Sequence, residues 1–124
     1  MLKQYRDLVT STGVLDEVMF AIIRRLTEKI LGIRRIDKLR SYIRRNGVGF
    51  AADELKEFIE LLEALDIIVL RDYADPHELL EIITKYSLPP SDAIIALTCR
   101  YHGVDTILTF DEDFKQVPWL KVIP

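Results

Sequence analysis

The sequence predicts an α/β domain with a mainly parallel central sheet flanked by helices in three layers. Three observations point there. Ile67-Ile68-Val69-Leu70 is an unbroken apolar run, the pattern of a parallel strand covered on both faces. Helical stripes and short apolar runs alternate as strand, helices, strand, helices, strand, strand. The last third, Leu88 to Pro124, passes from a Pro-Pro-Ser-Asp helix start through an apolar helix to a glycine. It then enters a strand ending in Thr-Phe-Asp-Glu-Asp-Phe. Strand ends and helix starts are where an open α/β sheet presents its chemistry, which marks out Asp92 and Asp111.

Taken in order, Met1 to Asp7 reads as the tail of a helix, and Leu8 to Thr10 as a short buried strand. Ser11 and Thr12 offer N-cap oxygens to a helix whose stripe runs from Val14 and Leu15 through Met19, Ile22, Ile23 and Leu26 to Ile30. Gly32 ends it. A basic helix over Ile36 to Arg45 uses Leu39 and Ile43 as apolar contacts and stops at Asn46-Gly47. Asp53 opens a helix with Leu55, Phe58, Ile59, Leu62 and Leu65 on one side, followed by the strand at 67–70. Asp75-Pro76 is an N-cap with proline at the first helical position, and the helix buries Leu79, Ile82, Ile83 and Tyr86. Pro90 or Ser91 caps a further helix beginning at Asp92, apolar all round from Ala93 to Leu97 and stopped by Gly103. Strands at 105–109 and 121–123 complete the chain, with no repeat, linker or low-complexity tract.

At 124 residues, nearly half of them hydrophobic and 30% charged, the chain is expected to form one globular domain over 1–124. No apolar run reaches membrane-spanning length and no signal-peptide pattern opens the sequence, so a cytoplasmic location is expected. The lone Cys99 lies in an apolar helix and reads as a core residue. Only Gln4, Asn46 and Gln116 carry side-chain amides, a bias shared with thermophile proteins. Charge is uneven. Arg24 to Arg45 holds nine basic residues against Glu28 and Asp37, a net +7, whereas the whole chain is −3. Such a block is either a set of solvated helix faces or a patch for nucleic-acid phosphates, with Arg24, Arg25, Arg34 and Arg35 as its leading members.

The chemistry-bearing side chains are carboxylates. Glu17 lies at the edge of the first helix's stripe, Asp92 in the first turn of its helix, and Asp111 at a strand end with Asp113 beyond it. Each alone is equally a helix-dipole or turn residue. His77 and His102 have no partner at zinc-ligand spacing, and no glycine-rich phosphate loop, nucleophile elbow or dinucleotide fingerprint occurs.

Ser-Asp-Ala-Ile-Ile-Ala-Leu, then His-Gly-Val-Asp-Thr-Ile-Leu-Thr-Phe-Asp-Glu-Asp-Phe and a closing Val-Ile-Pro, resembles the C-terminal half of PIN-domain ribonucleases, the family that includes VapC-type toxins. Val-Thr-Ser-Thr-Gly-Val-Leu-Asp-Glu-Val upstream resembles that family's second strand and the helix carrying a metal-site glutamate. The resemblance implies a sheet ordered 3-2-1-4-5, with Glu17, Asp92 and Asp111 as catalytic metal ligands. It adds Asp113 as a supporting metal ligand and Thr109 as the polar residue before the last acid. Carboxylates about 4–8 Å apart suit hydrated Mg²⁺ or Mn²⁺, which prefer oxygen donors. Such an ion activates water and neutralises a phosphodiester. RNA, an antitoxin protein and a second copy of the chain are the implied partners. The family's first strand, which ends in an aspartate, has no counterpart here; Asp7 and Asp16 are poor substitutes, and a weak nuclease is expected. The alternative is an inactive PIN-like scaffold that binds RNA or protein.

Overall fold

The computed structural model describes residues 8–123, so the helix tail read at Met1 to Asp7 lies outside the described residues. The elements are β1 (Val9–Ser11), α1 (Thr12–Leu26) continuing as a π-helical turn over Thr27–Leu31, α2 (Ile36–Asn46) and α3 (Ala52–Ala64). Then come β2 (Ile68–Leu70), α4 (Pro76–Tyr86), α5 (Pro90–Tyr101), β3 (Thr106–Leu108), a 3₁₀ segment (Glu112–Gln116) and β4 (Lys121–Ile123). Internal contacts group these into two compact units. One is a helical unit over Leu15–Ile68; the other joins Val9–Val14 to Val69 and everything after it.

In the helical unit the sequence signals act as expected. Gly32 and Gly47 end α1's π-helical extension and α2, both at positive φ (67° and 75°), where a side chain would be strained. Thr27 is fully buried inside the π-turn, and its hydroxyl donates to the Ile23 carbonyl at 2.6 Å. That bond compensates a carbonyl where the wider turn shifts the backbone ladder. Leu39 and Ala51 are buried, and Tyr42 meets Phe50 edge-on at 5.7 Å. The stripes of α1 and α3 differ from expectation: neither helix has a fully buried residue, and Leu61 and Leu65 are half-exposed.

The second unit holds the larger core. Ile82, Leu88, Ala93, Ala96, Leu97, Phe114, Val117 and Leu120 form one buried cluster, with α4 and α5 packed on each other. The all-round apolar stretch of α5 is buried at Ala93, Ala96 and Leu97, whereas Ile94 and Ile95 are only half-buried. β3 and β4 pair in parallel, Ile107 opposite Val122, and the ladder is extended by Lys121 N–H to Asp105 O at 2.7 Å and Thr109 N–H to Ile123 O at 3.0 Å. The parallel α/β class thus holds, but in place of one continuous sheet the described strands form two two-stranded sheets, β1 with β2 and β3 with β4. Ile68 and Val69 remain 55% and 42% exposed, contrary to the reading of 67–70.

α5 begins at Pro90, two residues before the expected start, with Pro89 as its N-cap. Proline at the first position lacks only an N–H that would be unpaired there anyway, and the Ala93 N–H reaches the Pro89 carbonyl at 2.9 Å. Asp75 caps α4 as read, accepting from the His77 and Glu78 amides.

A cap that sequence reasoning missed ties the ends of β1 and β2 together. Asp72 accepts the Gly13 amide at 3.0 Å and its own amide donates to the Thr12 hydroxyl at 3.3 Å, beside the Ser11 cap read in the sequence, whose Oγ takes the Val14 amide at 3.3 Å. A Cβ on Gly13 would sit 2.7 Å from Asp72 Oδ2, so a larger residue there would displace the carboxylate from this cap. Asp72→Ala should therefore lower stability by about 1 kcal/mol, the usual worth of an N-cap, in a urea titration with unchanged slope.

Candidate metal centre

Asp92, Asp111 and Asp113 come together in the second unit. Each offers a carboxylate oxygen, and these oxygens all lie within 4.8 Å of one another. Asp92 is placed by the first turn of α5, where the helix dipole favours an anion. Asp111 is placed by the end of β3 and caps the 3₁₀ segment: its Oδ1 accepts the Asp113 amide at 2.9 Å. Thr109 fixes the same turn from behind, its hydroxyl accepting the Asp111 amide at 3.0 Å. The short Asp-Glu-Asp turn therefore spends its backbone donors internally and turns two carboxylates toward Asp92. Three anionic groups this close repel each other, and a cation between them removes that repulsion. The donor set is all oxygen, without sulfur or imidazole, which fits a hard divalent cation such as Mg²⁺ or Mn²⁺.

The other residues singled out in the sequence lie in the helical unit. Glu17 is exposed on α1, and Arg24 and Arg25 occupy that helix's last turn. Arg34 pairs with Glu28 at 3.2 Å and Arg35 with Asp37 at 3.0 Å, all four side chains more than half exposed. Exposed pairs of this kind contribute about 0–1 kcal/mol.

With this geometry established, the comparisons with known proteins decide the family. A PIN domain family model matches residues 1–120. The chain belongs to the PIN domain family. Two relatives come from Methanocaldococcus jannaschii. Ribonuclease VapC2 is 31% identical over 121 residues, covering 89% of this chain and 67% of that protein. Ribonuclease VapC6 is 30% identical over 114 residues, covering 89% and 71%. No solved structure matches the chain. The resemblance read from the Ser-Asp-Ala helix start and the Thr-Phe-Asp-Glu-Asp-Phe strand end is thereby shown.

This PIN domain also carries a polar and aromatic network that the sequence did not reveal, because its members are scattered over α4, α5 and the loops beside them. The Tyr73 hydroxyl donates to the Glu78 carboxylate, and Glu78 also holds Arg100 at 3.2 Å. Arg100 lies over the half-buried Trp119 ring at 5.6 Å. Tyr73 stacks on Tyr101 with ring centroids 4.2 Å apart, and its amide reaches the buried Thr98 hydroxyl at 3.0 Å. His102 Nε2 contacts the Arg71 carbonyl at 3.0 Å. The Glu78 hydrogen bond, aided by desolvation and nearby carboxylate charge, favours the neutral phenol and pushes the Tyr73 pKa from 10.0 up to about 12. A folded pKa raised above the unfolded one gives stability that is complete below pH 10 and lost as pH rises toward 12. Tyr73→Phe should accordingly flatten stability over that alkaline window, read from thermal melts between pH 9 and about 12. Burial pushes the Cys99 thiol up in the same direction, away from the reactive thiolate, in keeping with a packing role.

In this PIN domain no described helix is long and apolar enough to cross a membrane.

Proposed function

We propose that this PIN domain is a divalent-metal-dependent endoribonuclease acting on single-stranded RNA, the toxin of a toxin–antitoxin pair. The observation that carries the reading is the convergence of Asp92, Asp111 and Asp113, with carboxylate oxygens within 4.8 Å of one another. Support comes from the two relatives, Ribonuclease VapC2 and Ribonuclease VapC6.

The residues that would hold the ion are Asp92 and Asp111, with Asp113 completing the set. Bound there, a Mg²⁺ or Mn²⁺ ion supplies an activated water and positive charge against the phosphodiester. The protein's own contribution is orientation. The Asp113 amide holds the Asp111 side chain, the Thr109 hydroxyl holds the Asp111 backbone, and α5 presents Asp92 from its first turn. Without positive charge this centre repels phosphate, so an acidic protein of net −3 depends on a cation to accept RNA there. The family resemblance assigns Glu17 to the same task, and the basic block of Arg24 to Arg45 puts Arg24, Arg25, Arg34 and Arg35 forward for holding RNA. An antitoxin protein, a second copy of the chain and a cytoplasmic location belong to the same reading.

The test is cleavage of a generic single-stranded RNA with Mg²⁺ or Mn²⁺ and with chelator. Cutting that needs the metal, and that weakens in Glu17→Gln, supports the assignment. Cutting at full rate in chelator contradicts it, and no cutting of any RNA tried favours the binding-scaffold alternative.

A further inference from the structure

The helical unit contains a cleft of about 290 Å³ whose construction explains the odd helix geometry beside it. α1 does not end where its regular ladder does. It widens into the π-turn at Thr27–Leu31 and then reverses at Gly32 in the left-handed conformation. The reversal brings Ile33 and Arg34 back against the last turn of α1, and buried Leu39 and exposed Ala21 add apolar surface to the cleft. The rim is charged: Arg24, Arg25 and Arg34 face it, with Glu28 the only acid. Isolated π-turns recur at functional sites because they cost hydrogen-bond quality that a straight helix would keep. Here the turn is what sets Glu28 and Arg34 across from each other.

The charges are unequally used. Arg34 is engaged by Glu28 at 3.2 Å, in a pair exposed enough to exchange readily. Arg24 and Arg25 make no ion pair with any described residue. The cleft therefore carries a net charge of +2 beside this apolar surface. At the low edge of the roughly 300–1,000 Å³ range of small-ligand sites, it suits one nucleotide better than a bulky group. Guanidinium forks match phosphate oxygens bidentately, and the apolar surface offers a contact for a sugar or base.

We propose that this cleft binds one phosphate-bearing nucleotide of an RNA strand, with Glu28 as a built-in competitor that occupies Arg34 until phosphate replaces it. The choice of RNA as the source of the nucleotide rests on the ribonuclease reading; the chemistry of the cleft does not. Because Glu28 competes with the ligand, two changes at neighbouring rim positions should act in opposite directions. Arg24→Ala/Arg25→Ala should weaken binding about tenfold or more at low salt and lower the logarithmic salt slope by about 1.4, two contacts at about 0.7 each for a single strand. Glu28→Gln should tighten it several-fold.

The experiment is fluorescence anisotropy of a short labelled single-stranded RNA in chelator, with Arg44→Ala/Arg45→Ala as a control of equal charge loss and a polyglutamate peptide as a competing probe. All these side chains are exposed, and matched thermal melts confirm that each variant folds. Loss in the Arg24/Arg25 variant, gain in Glu28→Gln and near-wild-type binding in the control support the cleft. Equal loss in the control, no gain in Glu28→Gln, or tighter capture of the acidic peptide overturns it. Chelator keeps cleavage out of this readout. Metal-dependent cutting without cleft-dependent binding sinks the cleft alone, and cleft-dependent binding without cutting sinks only the nuclease.

Discussion

Asp92→Asn and Asp111→Asn should each reduce metal-dependent RNA cleavage on the order of 10²–10³-fold, the scale on which removal of one preorganised electrostatic group acts. The two substitutions preserve shape and remove charge. In Asp111→Asn the side-chain carbonyl can still accept the Asp113 amide, which Asp111 Oδ1 now accepts at 2.9 Å, so the turn keeps its form. What is lost is one of three negative charges gathered within 4.8 Å. Thr109→Val tests the layer behind. It removes the acceptor for the Asp111 amide while nearly keeping volume, and should cost about 10–100-fold, as outer-shell partners of metal ligands do. Initial rates over a Mg²⁺ series separate the two effects, since excess metal restores a weakened site more readily than one missing a ligand.

Leu97→Ala should lower stability by about 2–5 kcal/mol. Leu97 is fully buried on α5, inside the cluster formed by Ile82, Phe114, Val117 and Leu120. Truncation leaves a void walled by α4, α5 and the 3₁₀ segment, and packed helices collapse into such voids only partly. The melting temperature should fall by roughly 10 °C or more. Leu80, on the same hairpin of helices but 60% exposed, provides the contrast: Leu80→Ala should stay within about 0.5 kcal/mol. Because α5 also presents Asp92, partial loosening of this core should reduce cleavage below the unfolding temperature.

Legibility in the sequence followed the range of the interactions. Local signals were readable. Asp75-Pro76, Gly32, Gly47 and Gly103 punctuate helices through their own backbone preferences, and all four act where expected. The acids Asp111 and Asp113 share one turn with Thr109, so that half of the centre was visible as a motif. Asp92 stands out beside them as a helix-start acid, and the family resemblance adds the ligand role, since nothing local tells a helix-dipole aspartate from a ligand. Interactions set by tertiary approach were invisible. Asp72 caps a helix 59 residues away, and Glu78 meets Arg100 across 22. Periodicity also overstated burial. The stripes of α1 and α3 have the spacing of core faces, but spacing states which side is apolar and not whether anything covers it. The π-turn escaped for a related reason, since one residue's change in register leaves composition untouched.

On the reading proposed above, Asp92, Asp111 and Asp113 jointly hold one divalent cation. This is tested most directly by Mn²⁺ titration followed by electron paramagnetic resonance, on the wild type and on Asp92→Asn and Asp111→Asn. The account predicts one Mn²⁺ taken up per wild-type chain, and affinity weakened about tenfold or more in either variant with unchanged circular dichroism. Equal Mn²⁺ uptake by all three proteins would contradict it.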